Sequence, residues 1–279
     1  MAQDNSAVAP CHAGTGAFVK PFLDAVRFEN LRPGVLLGVG RFWPDLFDPA
    51  LFTVNGIDHP ETMSKAIAKR QAEFLAGRMM VQIAQRHLDV PTAQIRIGGR
   101  RGPVWPPGLC GSITHSSAKI ACIVGTDPDA LVGLDLEHVA DDNAVRAIEK
   151  VALSGPEVAL LRAQRCLDYA TATTAIFSAK ETLFKAINGR VGRHFGFDAA
   201  VLAAPPTPSA VVLGLAADLG PLFPAGRKFR IDLRRRSSYL LTWYYCAGNN
   251  DNPTAQGSGS VGRTCHSINV ATDPNTAVS

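Results

Sequence analysis

The stretch that most constrains this chain is Val132-Gly133-Leu134-Asp135-Leu136-Glu137, apolar or small residues interrupted by two carboxylates two positions apart. Ala121-Cys122-Ile123-Val124 before it and the polar Asp141-Asp142-Asn143 after it frame a buried strand near its end. Residues i and i+2 of a strand point the same way, so Asp135 and Glu137 share one face and Leu134 and Leu136 the other, toward a core. Neighbouring like charges repel and resist burial. A solvated acidic face on an edge strand is the commoner way to tolerate such a pair. A divalent cation is the other way, and oxygen-only ligands suit Mg2+. Because the pair is crowded, truncating Asp135 is expected to cost little folding stability in metal-free protein.

A second stretch, Thr173 to Ile187, has helical periodicity, with Ile176, Ala179, Leu183 and Ala186 or Ile187 on one stripe. Glu181 and Lys185 are four apart and share a helix face. Alone, they read as a surface ion pair of a few tenths of a kcal/mol.

Taken together, Gly133-Leu134-Asp135-Leu136-Glu137 and the later Phe177-Ser178-Ala179-Lys180-Glu181 with Lys185-Ala186 resemble the 4′-phosphopantetheinyl transferases, most closely the enterobactin synthetase component D branch. Gly99-Arg100-Arg101-Gly102-Pro103-Val104-Trp105-Pro106-Pro107-Gly108, Gly111-Ser112-Ile113-Thr114-His115-Ser116 and Arg70-Gln71-Ala72-Glu73-Phe74-Leu75-Ala76-Gly77-Arg78 extend the resemblance in the same order. It is specific as a set, and no single piece of it is. In the family the residue before the histidine is often serine; Thr114 departs from that but keeps the hydroxyl.

Composition is that of an ordinary globular protein. The 279 residues are 46% hydrophobic and 19% charged, enough for one large core or two moderate ones. A formal net charge of +4 does not argue for a nucleic-acid partner and is compatible with a small anion or an acidic protein. The six cysteines show no C-x-x-C spacing, so no zinc site is expected. We read no secretory signal and no apolar run of about 18 residues, and expect a cytoplasmic protein with reduced thiols.

Taken in order, residues 1–15 read as a loose terminus. Leu36 to Phe42 reads as the first strand, and Asp45 to Phe52 as a loop turning at Asp48-Pro49. Ser64 is expected to cap a helix whose stripe is Ile67, Phe74, Val81 and Leu88. Arg70 and Arg78 lie on roughly one side of it. Arg70 has two open uses: pairing with Glu73, or reaching a phosphate. Ile95 to Ile97 is a short strand, followed by the glycine-rich basic loop with Arg100 and Arg101, whose backbone and guanidinium groups suit an anion. Trp105-Pro106-Pro107-Gly108 walls a pocket or caps a core. Thr114 and His115 fall after an apparent strand end, where ligand-binding loops concentrate. Ile120 to Val124 is a strand. Ser154 and Glu157 form a capping box opening a helix with Val158, Leu160, Leu161 and Leu167. The next helix runs from about Thr171 to Asn188-Gly189. Strands are expected at 195–201, 210–213, 230–234 and 238–245. The tail 249–279 is expected to be disordered, being too poor in apolar residues to fold alone.

The resemblance implies an α/β (α+β) fold of two similar halves in a pseudo-twofold arrangement, 16–127 and 128–248, with the active site between them. It implies transfer of 4′-phosphopantetheine from coenzyme A, the co-substrate, to a serine of an apo acyl or peptidyl carrier protein, with release of 3′,5′-ADP. It implies Asp135, Glu137 and Glu181 as ligands of Mg2+, with Mn2+ as substitute. Asp135, Glu181 and Lys185 are then the catalytic candidates. Arg70, Arg78, Arg100, Arg101, Thr114, His115 and Lys185 are the coenzyme A contacts. The expected setting is a monomer serving siderophore, nonribosomal peptide, polyketide or fatty-acid carriers. Two alternatives stay open: a Mg2+-dependent coenzyme A or nucleotide pyrophosphate hydrolase, and an inactive coenzyme A-binding relative.

Overall fold

The computed structural model of the chain describes residues 21–99 and 102–248. The expected loose terminus, Arg100, Arg101 and the expected disordered tail lie outside the described residues.

In chain order the elements are β1 (Leu23–Arg32), β2 (Val35–Phe42), α1 (Ala50–Val54), α2 (Glu61–Ser64), α3 (Ala68–His87), β3 (Arg96–Ile97), β4 (Pro103–Val104), β5 (Cys110–Ser116), β6 (Lys119–Gly125) and β7 (Leu131–His138). They continue with α4 (Asp142–Ala152), α5 (Gly155–Ala163), α6 (Tyr169–Val191), β8 (Ala200–Leu202), β9 (Ala210–Leu215), β10 (Lys228–Arg236) and β11 (Tyr239–Cys246). One antiparallel sheet has the order β1-β2-β6-β5 and a second the order β7-β11-β10-β9-β8; β3 and β4 form a small ribbon. The fold is the expected mixture of α and β.

Each large sheet is covered by one long helix, α3 on the first and α6 on the second. Three clusters of buried side chains fill the molecule. One surrounds α3, one lies under α6, and the third joins Val35, Leu37, Ala121 and Ile123 of the first sheet to Val132, Leu134, Leu136 and Leu241 of the second. Leu134 and Leu136 therefore face this inter-sheet core, as the alternation requires. Strands β5 and β7 are each at the edge of their own sheet and lie against one another. The candidate residues of both sheets meet at that line.

Several boundaries differ from the sequence expectation. The first strand is β1, and residues read as loop form a short 3-10 turn at Pro44–Leu46 and then α1. Ser64 ends α2 rather than capping α3, whose N-cap position is Ile67, 74% exposed. Ile67 thus precedes the helix and leaves the stripe. Gln71 to Gly77 are buried without a break, so this part of α3 is enclosed and not amphipathic. Thr114 and His115 are within β5, not in a loop after a strand. Leu167 lies beyond the end of α5. Helix α6 passes through Asn188-Gly189 and stops at Gly192, whose φ of 73° is the left-handed conformation that glycine adopts freely. The strand expected at 195–201 is a 3-10 turn followed by the three-residue β8. Trp105 packs over Gly111 and joins the first core, so its rigid turn caps rather than opens it.

Lys180, beside Glu181 in sequence, is 4% exposed and serves the fold. Its ammonium contacts Glu157 at 2.9 Å and donates to the carbonyls of Ala152 at 2.7 Å and Phe197 at 3.2 Å. Glu157 also accepts from the backbone N–H of Ser154 and of Leu202. Burial alone would raise the Glu157 carboxyl; the hydrogen bonds from Ser154, Lys180 and Leu202 outweigh it and hold it below its ordinary value. One ion pair thus ties α6, α5 and β8. Removing one partner strands a buried charge, which costs about 3–5 kcal/mol. Lys180→Met should therefore lower the urea midpoint by a large margin, and an unchanged midpoint would show the pair to be dispensable.

Candidate active site

Asp135 is the best-buried charged group at the line where the sheets meet, at 3% exposure. It is paired in register with Thr242 of β11. Helix α6 can lie directly over this part of β7 because of Gly133: a Cβ there would stand 2.0 Å from the carbonyl oxygen of Thr182. This close approach brings two α6 side chains to Asp135, one on each carboxylate oxygen.

The Lys185 ammonium lies 2.6 Å from Asp135 Oδ1 and also donates to the Leu134 carbonyl at 3.1 Å and the Thr114 hydroxyl at 3.4 Å. Thr114 donates in turn to Asp135 Oδ1 at 3.3 Å, so a residue of the first sheet reaches the carboxylate of the second. Ser178 donates to Asp135 Oδ2 at 2.8 Å. These contacts correct the expectation that truncating Asp135 costs little folding stability. Its truncation leaves a partly buried ammonium without its anion, a cost to folding rather than a relief.

Glu137 and Glu181 are half-buried near this pair. Burial, then the Asp135 charge, push the Glu137 carboxyl up to about 7, with Glu181 adding to the push and Lys185 opposing it. Burial likewise raises Glu181, helped by Asp135 and opposed by Lys185. Three carboxylates therefore feel one another's charge around a single lysine. Among the described residues no group of three His, Cys, Asp or Glu side chains is drawn together as a ready cation cage. The donor chemistry nevertheless fits a hard divalent cation: oxygen ligands only, and three carboxyl groups beside a single lysine. In the present arrangement Lys185 is the cation that Asp135 holds.

On the other side of Lys185 lies a basic group. Arg70 Nη1 is 3.0 Å from His115 Nε2 and 3.3 Å from Glu73 Oε2; His115 Nε2 is 3.5 Å from the same Glu73 oxygen. The Arg70 contact needs a bare Nε2 lone pair and the Glu73 contact needs a proton there. Burial, and the charges of Arg70, Lys185 and Lys69, lower His115 against the opposing Glu73, which favours the neutral ring accepting from Arg70. Of the two uses weighed for Arg70, the pairing with Glu73 is present, with His115 as a second neighbour of the guanidinium. Arg78 is set deeper. It stacks on Phe74 at 4.1 Å, donates through Nε to the Ile95 carbonyl at 3.1 Å, and is lowered to about 10 by burial and the Arg70 charge. Beyond Glu137 a groove of about 500 Å3 opens between α4 and α6, lined by Val139, Ala144, Ile148, Val151 and Phe177 among others.

The structure brings Asp135, Glu137, Glu181, Lys185, Thr114, His115 and Arg70 into one region, with Arg78 behind them. Three residues escaped sequence reasoning. Glu73 was legible only as a helix partner of Arg70. Ser178 and Thr242 have hydroxyls whose roles depend on the packing of α6 over β7 and β11, for which a sequence carries no periodic signal.

A family model for the 4′-phosphopantetheinyl transferase N-terminal domain matches residues 58–125, and one for the 4′-phosphopantetheinyl transferase superfamily matches residues 131–226. The 4′-phosphopantetheinyl transferase PptT of Mycobacterium tuberculosis is 30% identical over 185 residues, which cover 66% of this chain and 75% of that protein. The chain belongs to the 4′-phosphopantetheinyl transferase superfamily. Its component D-like branch is supported by enterobactin synthase component D of Salmonella typhi, 33% identical over 148 residues, 53% of this chain and 61% of that protein. The same-named protein of Escherichia coli K12 is 33% identical over 143 residues, 50% of this chain and 67% of its own length. The chain thus spans about six tenths of the length of the Salmonella protein. The two family matches together include Arg70, His115, Asp135, Glu181 and Lys185 of this transferase-family chain. No helix among the described residues is long and apolar enough to cross a membrane.

The raised Glu137 carboxyl gives a signed expectation. A carboxyl whose folded value is raised stabilises the fold below its unfolded value and loses that contribution as pH rises through the folded one. For Glu137 the loss runs from an ordinary 4.5 to about 7. In chelator-treated protein, Glu137→Gln should remove that part of the fall in the urea midpoint between pH 4.5 and 7.5. Parallel wild-type and variant curves would contradict the crowding of the three carboxylates.

Proposed function

We propose that this chain transfers the 4′-phosphopantetheine group of coenzyme A to a serine hydroxyl of an apo carrier protein, releasing 3′,5′-ADP. The observation that supports it most strongly is the meeting of Thr114, Asp135 and Lys185. It joins the Thr114-His115 strand, the G-x-D-x-E strand and the K-E-x-x-x-K helix at one point between the sheets. In this reading the two units, 16–127 and 128–248, build the site between them.

The roles follow from charge and reach. Arg70, His115 and Lys185 present positive or donor groups to the phosphates of coenzyme A, with Arg78, Arg100 and Arg101 adding to the field. The serine oxygen attacks the β-phosphorus, the bond from that phosphorus to the bridging oxygen breaks, and 3′,5′-ADP departs with the electron pair. The serine proton goes to a carboxylate, for which the half-buried Glu181 is the candidate; burial pushes its carboxyl above the ordinary value, so its anion takes a proton more readily than that of an exposed glutamate. Asp135, Glu137 and Glu181 would hold Mg2+, or Mn2+ in its place, whose chemistry when bound is to neutralise charge on the pyrophosphate. Lys185, released from Asp135, would turn to a phosphate oxygen. The apolar groove beside Glu137 offers the carrier protein a place to approach.

Incubation with coenzyme A, Mg2+ and a panel of siderophore, nonribosomal peptide, polyketide and fatty-acid apo carriers, read by intact mass, tests the proposal. The expected result is one phosphopantetheine added to at least one carrier, none without Mg2+, and no 3′,5′-ADP without a carrier. Release of 3′,5′-ADP in the absence of any carrier would make the chain a hydrolase. Glu181→Gln should cut turnover by about 10²–10⁴-fold, the range for a positioned acid or base, with coenzyme A still bound. Parallel loss of coenzyme A binding would give Glu181 a ligand or structural role instead.

A further inference from the structure

The face of Asp135 turned away from Lys185 meets a row of buried hydroxyls. Ser178 lies 2.8 Å from Asp135 Oδ2 and 2.7 Å from the Thr242 hydroxyl, which is itself 2.7 Å from the hydroxyl of Thr182. Ser178, Thr182 and Thr242 are each 0% exposed. Each hydroxyl has one proton to give. Asp135, as the anion opposite the Lys185 ammonium, has none. Ser178 therefore spends its proton on Asp135 and accepts from Thr242, and Thr242 accepts from Thr182, whose single proton also lies within reach of the Thr242 carbonyl at 3.2 Å. Proton counting orders the whole row toward the carboxylate.

The row has two mechanical consequences. Ser178 and Thr182 are four apart on α6, whereas Thr242 is on β11 opposite Asp135, so the row fixes the helix, strand β11 and the edge strand β7 to one another. It also occupies Oδ2, leaving Oδ1 as the oxygen that faces Lys185 and Thr114. Successive hydroxyls donating in one direction polarise each other and strengthen the last bond. A carboxylate gripped in this way cannot rotate to offer its other oxygen.

We infer that Ser178 and Thr242 are positioning residues: they clamp Asp135 Oδ2 so that Oδ1 alone is presented to the cation of the site. The inference rests on the proposed role of Asp135 as a metal ligand. It concerns residues behind the ligand, of the kind whose loss weakens metal binding without touching the metal.

The test is a Mn2+ titration of the full chain with coenzyme A present and no carrier protein, free Mn2+ being read by electron paramagnetic resonance. Melting temperatures are measured in parallel. Ser178→Ala and Thr242→Val should each weaken Mn2+ binding by about 10-fold, at the lower end for residues behind a metal ligand. Thr242→Ser, which keeps the hydroxyl, should restore it. A merely structural row would lower the melting temperature of the Ala and Val variants but leave their Mn2+ midpoint, and the Ser variant's, at the wild-type value. That result overturns the inference. Ser178→Ala removes a single oxygen, so it carries the test if Thr242→Val does not fold. Asp135→Asn separates the two levels. If it abolishes Mn2+ binding while Ser178→Ala and Thr242→Val do not change it, the positioning role alone fails. If Asp135→Asn binds Mn2+ like the wild type, the metal-ligand reading fails and takes the inference with it.

Discussion

A carboxylate taken out of water must find a counter-charge and fill its lone pairs, and the middle of this molecule is arranged around that requirement at Asp135. Its neighbours come from three elements: Thr114 from β5, Ser178 and Lys185 from α6, and Thr242 behind Ser178 on β11. Gly133 permits it by removing the side chain that would hold α6 away. The same packing that closes the core therefore assembles the chemical groups, and neither half of the molecule holds them alone.

The helix motif separates structure from chemistry at a single step along the chain. Consecutive helical residues project about 100° apart, since there are about 3.6 per turn. Lys180 therefore points into the fold, to Glu157, while Glu181 and Lys185 face the carboxylates of β7. A buried lysine and a half-buried glutamate side by side look like one charge pair in sequence. In three dimensions the lysine is a strut of the fold and the glutamate faces the carboxylates of β7.

Much of this was legible in the sequence where the signal is local and periodic. The β7 strand, the apolar stripe of α6, the capping box of α5 and the strands β6, β9, β10 and β11 follow from alternation, helical spacing and cap chemistry. The i, i+4 placement of Glu181 and Lys185 and the shared face of Asp135 and Glu137 follow from the same geometry. β1 did not, because it is a sheet-edge strand with register breaks between Asp24 and Arg27 and between Asn30 and Arg32, and Ala25 sits at φ 49°. Those irregularities erase the period of two on which a strand is read. The start of α3 was misplaced because Ser64 has the chemistry of a cap but belongs to the preceding turn of helix. Asn188-Gly189 has the chemistry of a stop, yet tertiary packing carries α6 past it to Gly192. Of the site, the charged residues were legible as types at spacings. The contacts that decide their roles, such as Lys185 on Asp135 or Arg70 on His115, join residues far apart in sequence and exist only once the sheets are packed.

The central claim is that Asp135 and Lys185 form one partly buried unit linking strand and helix. A double-mutant cycle on urea stability in chelator-treated protein, with Asp135→Asn, Lys185→Met and the pair, measures it directly. Residues in contact within one network show coupling of about 0.5–3 kcal/mol, and the expected result is a coupling at or above the middle of that range, with the double variant more stable than the sum of the single losses predicts. Strict additivity of the two substitutions would contradict the account.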